Sequence, residues 1–276
     1  MPNSADAATR PIVLIHGLWM TPRSWENWIN HYESRGHRVL APAYPGFEVE
    51  VEALREDPSP IETVTVPETV DHLEGIIGEL DQPPIIMGHS FGGVLTQILL
   101  DHGYGAAGVA IDSVPAEGIK VTPPSQIRAS FPVLKNPANR HRAVPFTHKQ
   151  FHYAFTNTLS EEESQKVYDR YHIPAPGGWV WGGLLANFTP GHQATYVDFK
   201  NDDRAPLLFI AGGDDNIMPP SVNESNAHHY RSKAVTSFKE FEGRSHYTLG
   251  QDGWEEVADY ALDWATEKAD MSSAAG

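Results

Sequence analysis

Residues 83–100 read PPIIMGHSFGGVLTQILL: a doubled proline, a short apolar run, Gly-His-Ser-Phe-Gly-Gly, and a second apolar run. The segment Pro84–Met87 is too short for a helix and lies between prolines and a glycine, which suits a central parallel strand covered on both faces. From Phe91 the pattern changes at once to that of a helix. Ser90 therefore sits where strand becomes helix, with Gly88 and Gly92 two positions to either side. A turn this abrupt forces its middle residue into a strained conformation and brings neighbouring chain close, which flanking glycines permit. It raises Ser90 Oγ above the sheet at a helix N-terminus, where unpaired N–H groups, led by that of Phe91, can receive negative charge.

Outward from this turn, strands and helices alternate. IVLIH at 12–16 reads as a buried strand, and 22–35 as a helix with Thr21 as cap and Pro22 in its first turn. Trp25, Trp28, Ile29 and Tyr32 give that helix one face to bury. A second strand is expected at 37–42, and the acidic, proline-bounded stretch 48–60 reads as a surface excursion with little regular structure. From Pro67, the residues Val70, Leu73, Ile77 and Leu80 form one helical stripe. Further strands are expected at 106–112, 205–212 and 234–241, and a last helix at 254–267. The pattern implies an α/β chain with a mostly parallel sheet. Residues 115–203 differ: few strand candidates, several prolines, a helix-like SEEESQKVYDRY, and the aromatic-rich GGWVWGGLLANF. They read as an inserted, mainly helical cap between core parts at 1–114 and 204–276, placed over the strand ends where such sheets bind ligands.

The chain has 276 residues, no cysteine, and a formal charge of −16 from 36 acidic and 20 basic side chains. The length suits one domain with an insertion. Lack of cysteine excludes disulfides, a thiol nucleophile and thiolate metal sites. The charge disfavours nucleic acid and anionic membranes as partners. With no signal-like N-terminus and no run long enough to span a bilayer, a soluble cytoplasmic protein is expected. The terminal stretches 1–10 and 268–276 read as loose. No cofactor is required, and no His-Glu-x-x-His metal motif or dinucleotide-binding glycine loop occurs.

A serine hydroxyl needs an adjacent base, and the base needs an orienting group. His246, in GRSHY at 243–247, lies between the last strand and the last helix, at the same sheet end as Ser90. His228 and His229 read as a solvated helix face. Asp214 and Asp215, just beyond the strand at 205–212, are both placed to orient the base, and composition does not choose between them. The backbone N–H of Leu18, in HGLW at 16–19, can join that of Phe91 as a second donor, with His16 bracing the loop. For substrate contacts the candidates are Trp19 beside Leu18, His148 and His152 in HKQFHYAF, and Trp179 and Trp181 in the cap.

Together HGLW, GHSFGG, GGDDNIMPP at 212–220 and GRSHY, in the order serine, acid, histidine, resemble an α/β-hydrolase fold enzyme of the lipase and esterase type. The resemblance covers about residues 11–113 and 204–268. It implies a triad of Ser90, Asp215 and His246, since the family acid commonly stands three residues after a glycine and four before a proline, as Asp215 does between Gly212 and Pro219. It implies oxyanion donors at Leu18 and Phe91. Family members often begin with an antiparallel strand pair that the eleven residues before Ile12 leave little room for, so a sheet of about six strands is expected. The first expectation for function is hydrolysis of small or medium carboxylic esters without cofactor. Amide or lactam hydrolysis, perhydrolysis or haloperoxidase-like chemistry, hydroxynitrile cleavage and a non-catalytic small-molecule receptor use the same groups.

Overall fold

The computed structural model describes residues 9–274. In chain order its strands are β1 (Ile12–Ile15), β2 (Val39–Leu40), β3 (Ile85–His89), β4 (Ala107–Ile111), β5 (Ala143–Val144), β6 (Ala175–Pro176), β7 (Leu207–Gly212) and β8 (Thr236–Phe241). Six of them form one parallel sheet in the order β2-β1-β3-β4-β7-β8, while β5 and β6 make a small antiparallel pair of their own. No strand precedes β1 among the described residues.

The central strands are apolar along their whole length because both faces are covered. Successive side chains alternate between two cores. Val13, Ile15 and Phe209 join one, and Ile12, Leu14 and Ile210 join the other. The second core is closed by α1 (Glu26–Glu33), preceded by a 3-10 turn at Pro22–Trp25, and by the C-terminal helix α11 (Trp254–Ala274). Trp25, Trp28 and Tyr32 are fully buried there.

The first core is the larger. Into it pack α2 (Val51–Glu56), α3 (Ser59–Glu62), α4 (Val66–Gly78) and α5 (Phe91–Asp101). The stretch 48–60 thus corrects its sequence expectation: it is largely helical, since Val51, Leu54 and Ile61 give its short helices an apolar side that the acidic composition conceals. The expected strand at 37–42 is reduced to the two-residue edge strand β2.

Between β4 and β7 lies the cap, with α6 (Pro124–Leu134), α7 (His148–Phe155), α8 (Glu161–Tyr171) and α9 (Gly177–Leu185). Helix α10 (Pro220–His229) follows β7, and α11 runs Trp254–Ala274. That last helix continues past the expected end at 267, so most of 268–276 is helical; of the expected loose N-terminal stretch, residues 1–8 lie outside those described. No helix among the described residues is long and apolar enough to cross a membrane.

The sheet order has one consequence for the site. The chain runs from β1 outward to β2, then returns to place β3 on the other side of β1, and such switch points open a crevice at the carboxyl ends of the strands. Ile15 is paired with Gly88 there, so the loops after β1 and β3 emerge side by side.

Helix α4 owes its start to a reciprocal cap: Thr65 Oγ1 accepts from the Glu68 N–H, and Glu68 Oε2 accepts from the Thr65 N–H at 3.0 Å. Thr65→Ala is expected to lower stability by about 1 kcal/mol, read as a lower urea midpoint at unchanged slope; an unchanged midpoint would show that tertiary packing alone sets this helix.

Candidate active site

Ser90 is the cap residue of α5, with φ 55° and ψ −116°. A side-chain-bearing residue holds this conformation only where its surroundings enforce it. Here the Ser90 N–H donates to the Ile111 carbonyl at 2.9 Å, and the Ser90 carbonyl accepts from the N–H groups of Gly93 and Val114 at 3.0 and 2.9 Å. The turn also requires space that only glycine leaves. A Cβ on Gly88 would lie 1.9 Å from the Gly92 carbonyl oxygen, and one on Gly92 would lie 2.1 Å from that of Ile15. The loop after β1 comes so near that a Cβ on Gly17 would be 2.7 Å from Ser90 Cβ.

That loop is itself braced. His16 stacks on Tyr44 with ring centroids 3.8 Å apart, the Tyr44 hydroxyl donates to the His16 carbonyl, and burial lowers the His16 pKa to about 4. Trp19 takes a positive φ of 63°. Its indole Nε1 donates to the Val144 carbonyl at 3.0 Å, its own carbonyl accepts from the Ile173 N–H at 3.0 Å, and its ring stacks on Phe146 at 4.3 Å.

His246 lies between β8 and α11, and its Nδ1 is 2.6 Å from Asp215 Oδ2. Asp215 Oδ1 accepts from the N–H groups of Ile217 and Met218, each at 2.8 Å. Asp214 is exposed, and its N–H donates to the Arg244 carbonyl. Burial drives His246 below the ordinary histidine range, to about 3, and Asp215 above the carboxylate range, although the N–H groups of Met218 and Ile217 oppose the latter. With those two donors on Oδ1, the imidazole serves as the third donor through Nδ1–H, and the carboxylate is the form that all three favour. His246 Nε2 is then bare, and it is buried with no hydrogen-bond partner.

The two halves of the site are fastened together. His89, immediately before Ser90, uses Nε2–H to donate to the His246 carbonyl at 2.8 Å, with the two rings 4.7 Å apart. From the cap, the Phe155 carbonyl accepts from the Tyr247 N–H at 2.8 Å, and the Phe155 ring meets His246 edge-on.

Above Ser90 is a cavity of about 680 Å³ whose wall includes Leu18, Trp19, Phe91 and Trp179. Of the other expected contact residues, Trp181 lies under Arg140, and His148 and His152 stand on α7 outside the cavity wall. His148 Nε2 instead reaches Ser164 Oγ at 3.1 Å, because that side of α7 packs on α8.

A profile of the alpha/beta hydrolase family matches residues 12–260. The chain belongs to that family. It is 22% identical over 253 residues to the non-heme chloroperoxidase CPO-A1 of Kitasatospora aureofaciens, covering 86% of this chain and 85% of that one. Among solved structures it resembles a monoacylglycerol lipase of Paleococcus ferrophilus (TM-score 0.65, 20% identity, 94% of each chain). It also resembles an extracellular alpha/beta-hydrolase from a Paenibacillus species (TM-score 0.67, 18% identity, 93% of this chain and 99% of that one).

This alpha/beta hydrolase carries one buried residue at the site that sequence reasoning passed over. Asp112, just past β4, has φ 46° and is fully buried. Its Oδ1 accepts from the Gly212 N–H at 2.6 Å, and its Oδ2 is 4.0 Å from His89 Nε2. Burial first, and Asp215 second, push it well above the carboxylate range. An acid directly after the apolar run AAGVAI was the available signal. His89, Asp112 and His246 each offer one ligand atom within 4.8 Å of the others. His89 Nε2 and Asp112 Oδ1 are committed to the His246 carbonyl and the Gly212 N–H, while His89 Nδ1, Asp112 Oδ2 and His246 Nε2 are buried with no hydrogen-bond partner.

Gly92→Ala is expected to destabilise the protein by roughly 1–3 kcal/mol or more, since the added methyl meets backbone that cannot move aside. Thermal unfolding checks this; a midpoint equal to that of the unmodified chain would show that β1 can shift away from the turn.

Proposed function

We propose that this protein is a serine hydrolase that cleaves small or medium carboxylic esters through an acyl-enzyme on Ser90. The reading is carried by one observation above all. An imidazole oriented by Asp215 keeps an unpartnered Nε2, at the same end of the sheet as a serine held in a forced turn.

In this reading His246 Nε2 takes the proton of Ser90 Oγ as the oxygen attacks the acyl carbonyl carbon. The N–H groups of Leu18 and Phe91, both in the cavity wall with Ser90, hold the oxyanion. Phe91 is the first residue of α5, so its N–H has no acceptor within the helix. Fixed donors in a site shielded from water stabilise developing charge without reorganising. As the carbon–oxygen bond breaks, His246 returns the proton to the leaving alkoxide. It then takes a proton from water as the water oxygen attacks the acyl-enzyme, and gives that proton to Ser90 Oγ as the acid leaves. Asp215 keeps the ring in its Nδ1–H form throughout.

The similarity to a non-heme chloroperoxidase favours one second reading, in which hydrogen peroxide replaces water at the acyl-enzyme and a peroxyacid leaves. Peroxyacid formation from acetate and peroxide measures it directly.

A fluorophosphonate should add once to the intact protein, at the Ser90 peptide, and not at all to Ser90→Ala; labelling that survives the substitution sinks the assignment. The depressed pKa of His246 also predicts the pH profile. As pH falls, the base is lost only when Nε2 protonates, so kcat/KM on an ester should stay level through pH 6.5 and decline below it. An acid limb centred at 6.5 or above would show an imidazole no harder to charge than one in water.

A further inference from the structure

The cavity beside Ser90 points to a particular chemistry of ligand. Its volume of about 680 Å³ falls within the range of roughly 300–1,000 Å³ usual for small-molecule sites. Its wall is supplied by α6, α9, the segment after β4 and the residues after Asp215, and it is mostly apolar. The one charged residue in that wall is Lys120, which is exposed. Toward the outside, beside Lys120 and the exposed Thr122, much of the wall stays apolar. Ile127, Leu184 and Phe188 belong to it and are 52%, 39% and 81% exposed. Several large apolar side chains of one cavity wall left open to water are a usual mark of a surface that something apolar covers.

Helix α9 adds an independent observation. Gly183 lies inside it, where glycine is less stable than alanine by roughly 0.5–1 kcal/mol. Close packing does not explain the glycine, because a Cβ there would meet nothing within 4 Å. Gly183 is in the cavity wall, one turn beyond Trp179 on the same helix face. Trp179 is fixed by its indole donating to the Val64 carbonyl at 2.7 Å. The missing side chain therefore leaves room in the cavity next to a ring that does not swing away.

We infer that this cavity receives an extended apolar chain on one side of the scissile ester bond, and that Gly183 is a specificity-determining residue that keeps its path open. This rests on the hydrolase reading and names its substrate class: esters bearing one extended alkyl or acyl chain. The chain runs from Ser90 past Trp179 and Gly183 toward Ile127 and Phe188. Trp179 and Gly183 also border a second cavity of about 500 Å³ whose wall holds Glu62, Arg140 and His141. Those groups make it a poor place for the same chain.

The test measures binding without turnover. In the Ser90→Ala background, calorimetry compares methyl octanoate, octyl acetate and methyl acetate. At least one long ester should bind tenfold or more tighter than methyl acetate, and which one does so shows whether the chain is on the acyl or the alcohol side. Adding Gly183→Leu should weaken that binding at least tenfold. Adding Ile127→Asp, an exposed position of the first cavity alone, should weaken it at least fivefold. Gly75→Leu, the same change at an exposed helical glycine with nothing within 4 Å, should not alter it. Unchanged thermal midpoints establish that each variant is folded. Equal affinity for all three esters, or long-chain binding untouched by both Gly183→Leu and Ile127→Asp, overturns the inference. Long-chain binding in a wild-type protein that neither cleaves these esters nor takes up a fluorophosphonate would overturn the hydrolase reading and leave this one standing.

Discussion

The site depends on a backbone conformation that the local sequence would not choose. Ser90 is held at a positive φ because three carbonyl–amide bonds, to Ile111, Gly93 and Val114, and contact with the β1 loop leave it nowhere else to go. Residues held this way store of the order of 1–3 kcal/mol, which the surrounding fold must supply. Here the supply is the parallel sheet itself. The bond to Ile111 continues the β3–β4 ladder by one residue beyond the last strand position of β3, so the elbow is an extension of the sheet's own hydrogen bonding.

That dependence explains why the core and the turn were legible in the sequence. A fully buried parallel strand must be apolar without interruption, and a chain that leaves it at a sharp angle must have glycine where backbone touches backbone. Both demands write themselves into PIIMGHSFGG. The same holds for Trp25, Trp28 and Tyr32, whose spacing marks one helix face. Position within the sheet then put His246 and the aspartates at the same end as Ser90. The choice of Asp215 over Asp214 came from family resemblance, and geometry supplies its physical counterpart: one carboxylate is buried under two N–H donors while its neighbour faces water.

What could not be read lies where contacts are made between distant segments. Asp112 looks like an ordinary end of a strand until β7 places the Gly212 N–H upon it. His148 and His152 look like site residues because they sit among aromatics, yet α7 adds no residue to the cavity wall, and His148 is turned toward α8, whose first residue is thirteen further along. The acidic stretch at 48–60 hid its helices for a related reason: three apolar residues suffice when the rest of the short helices faces solvent.

Trp19 gives the cap a mechanical tie to the core. Through its indole to Val144, its carbonyl to Ile173 and its stack on Phe146, one residue of the β1 loop is gripped by three separated points of the cap. The cap therefore cannot lift as a rigid plate while that loop stays behind. Either all three attachments let go together, or the cap drags with it the peptide group that joins Leu18 to Trp19, next to Ser90. Access to the cavity is better served by small movements at its free apolar rim than by a hinge at this end.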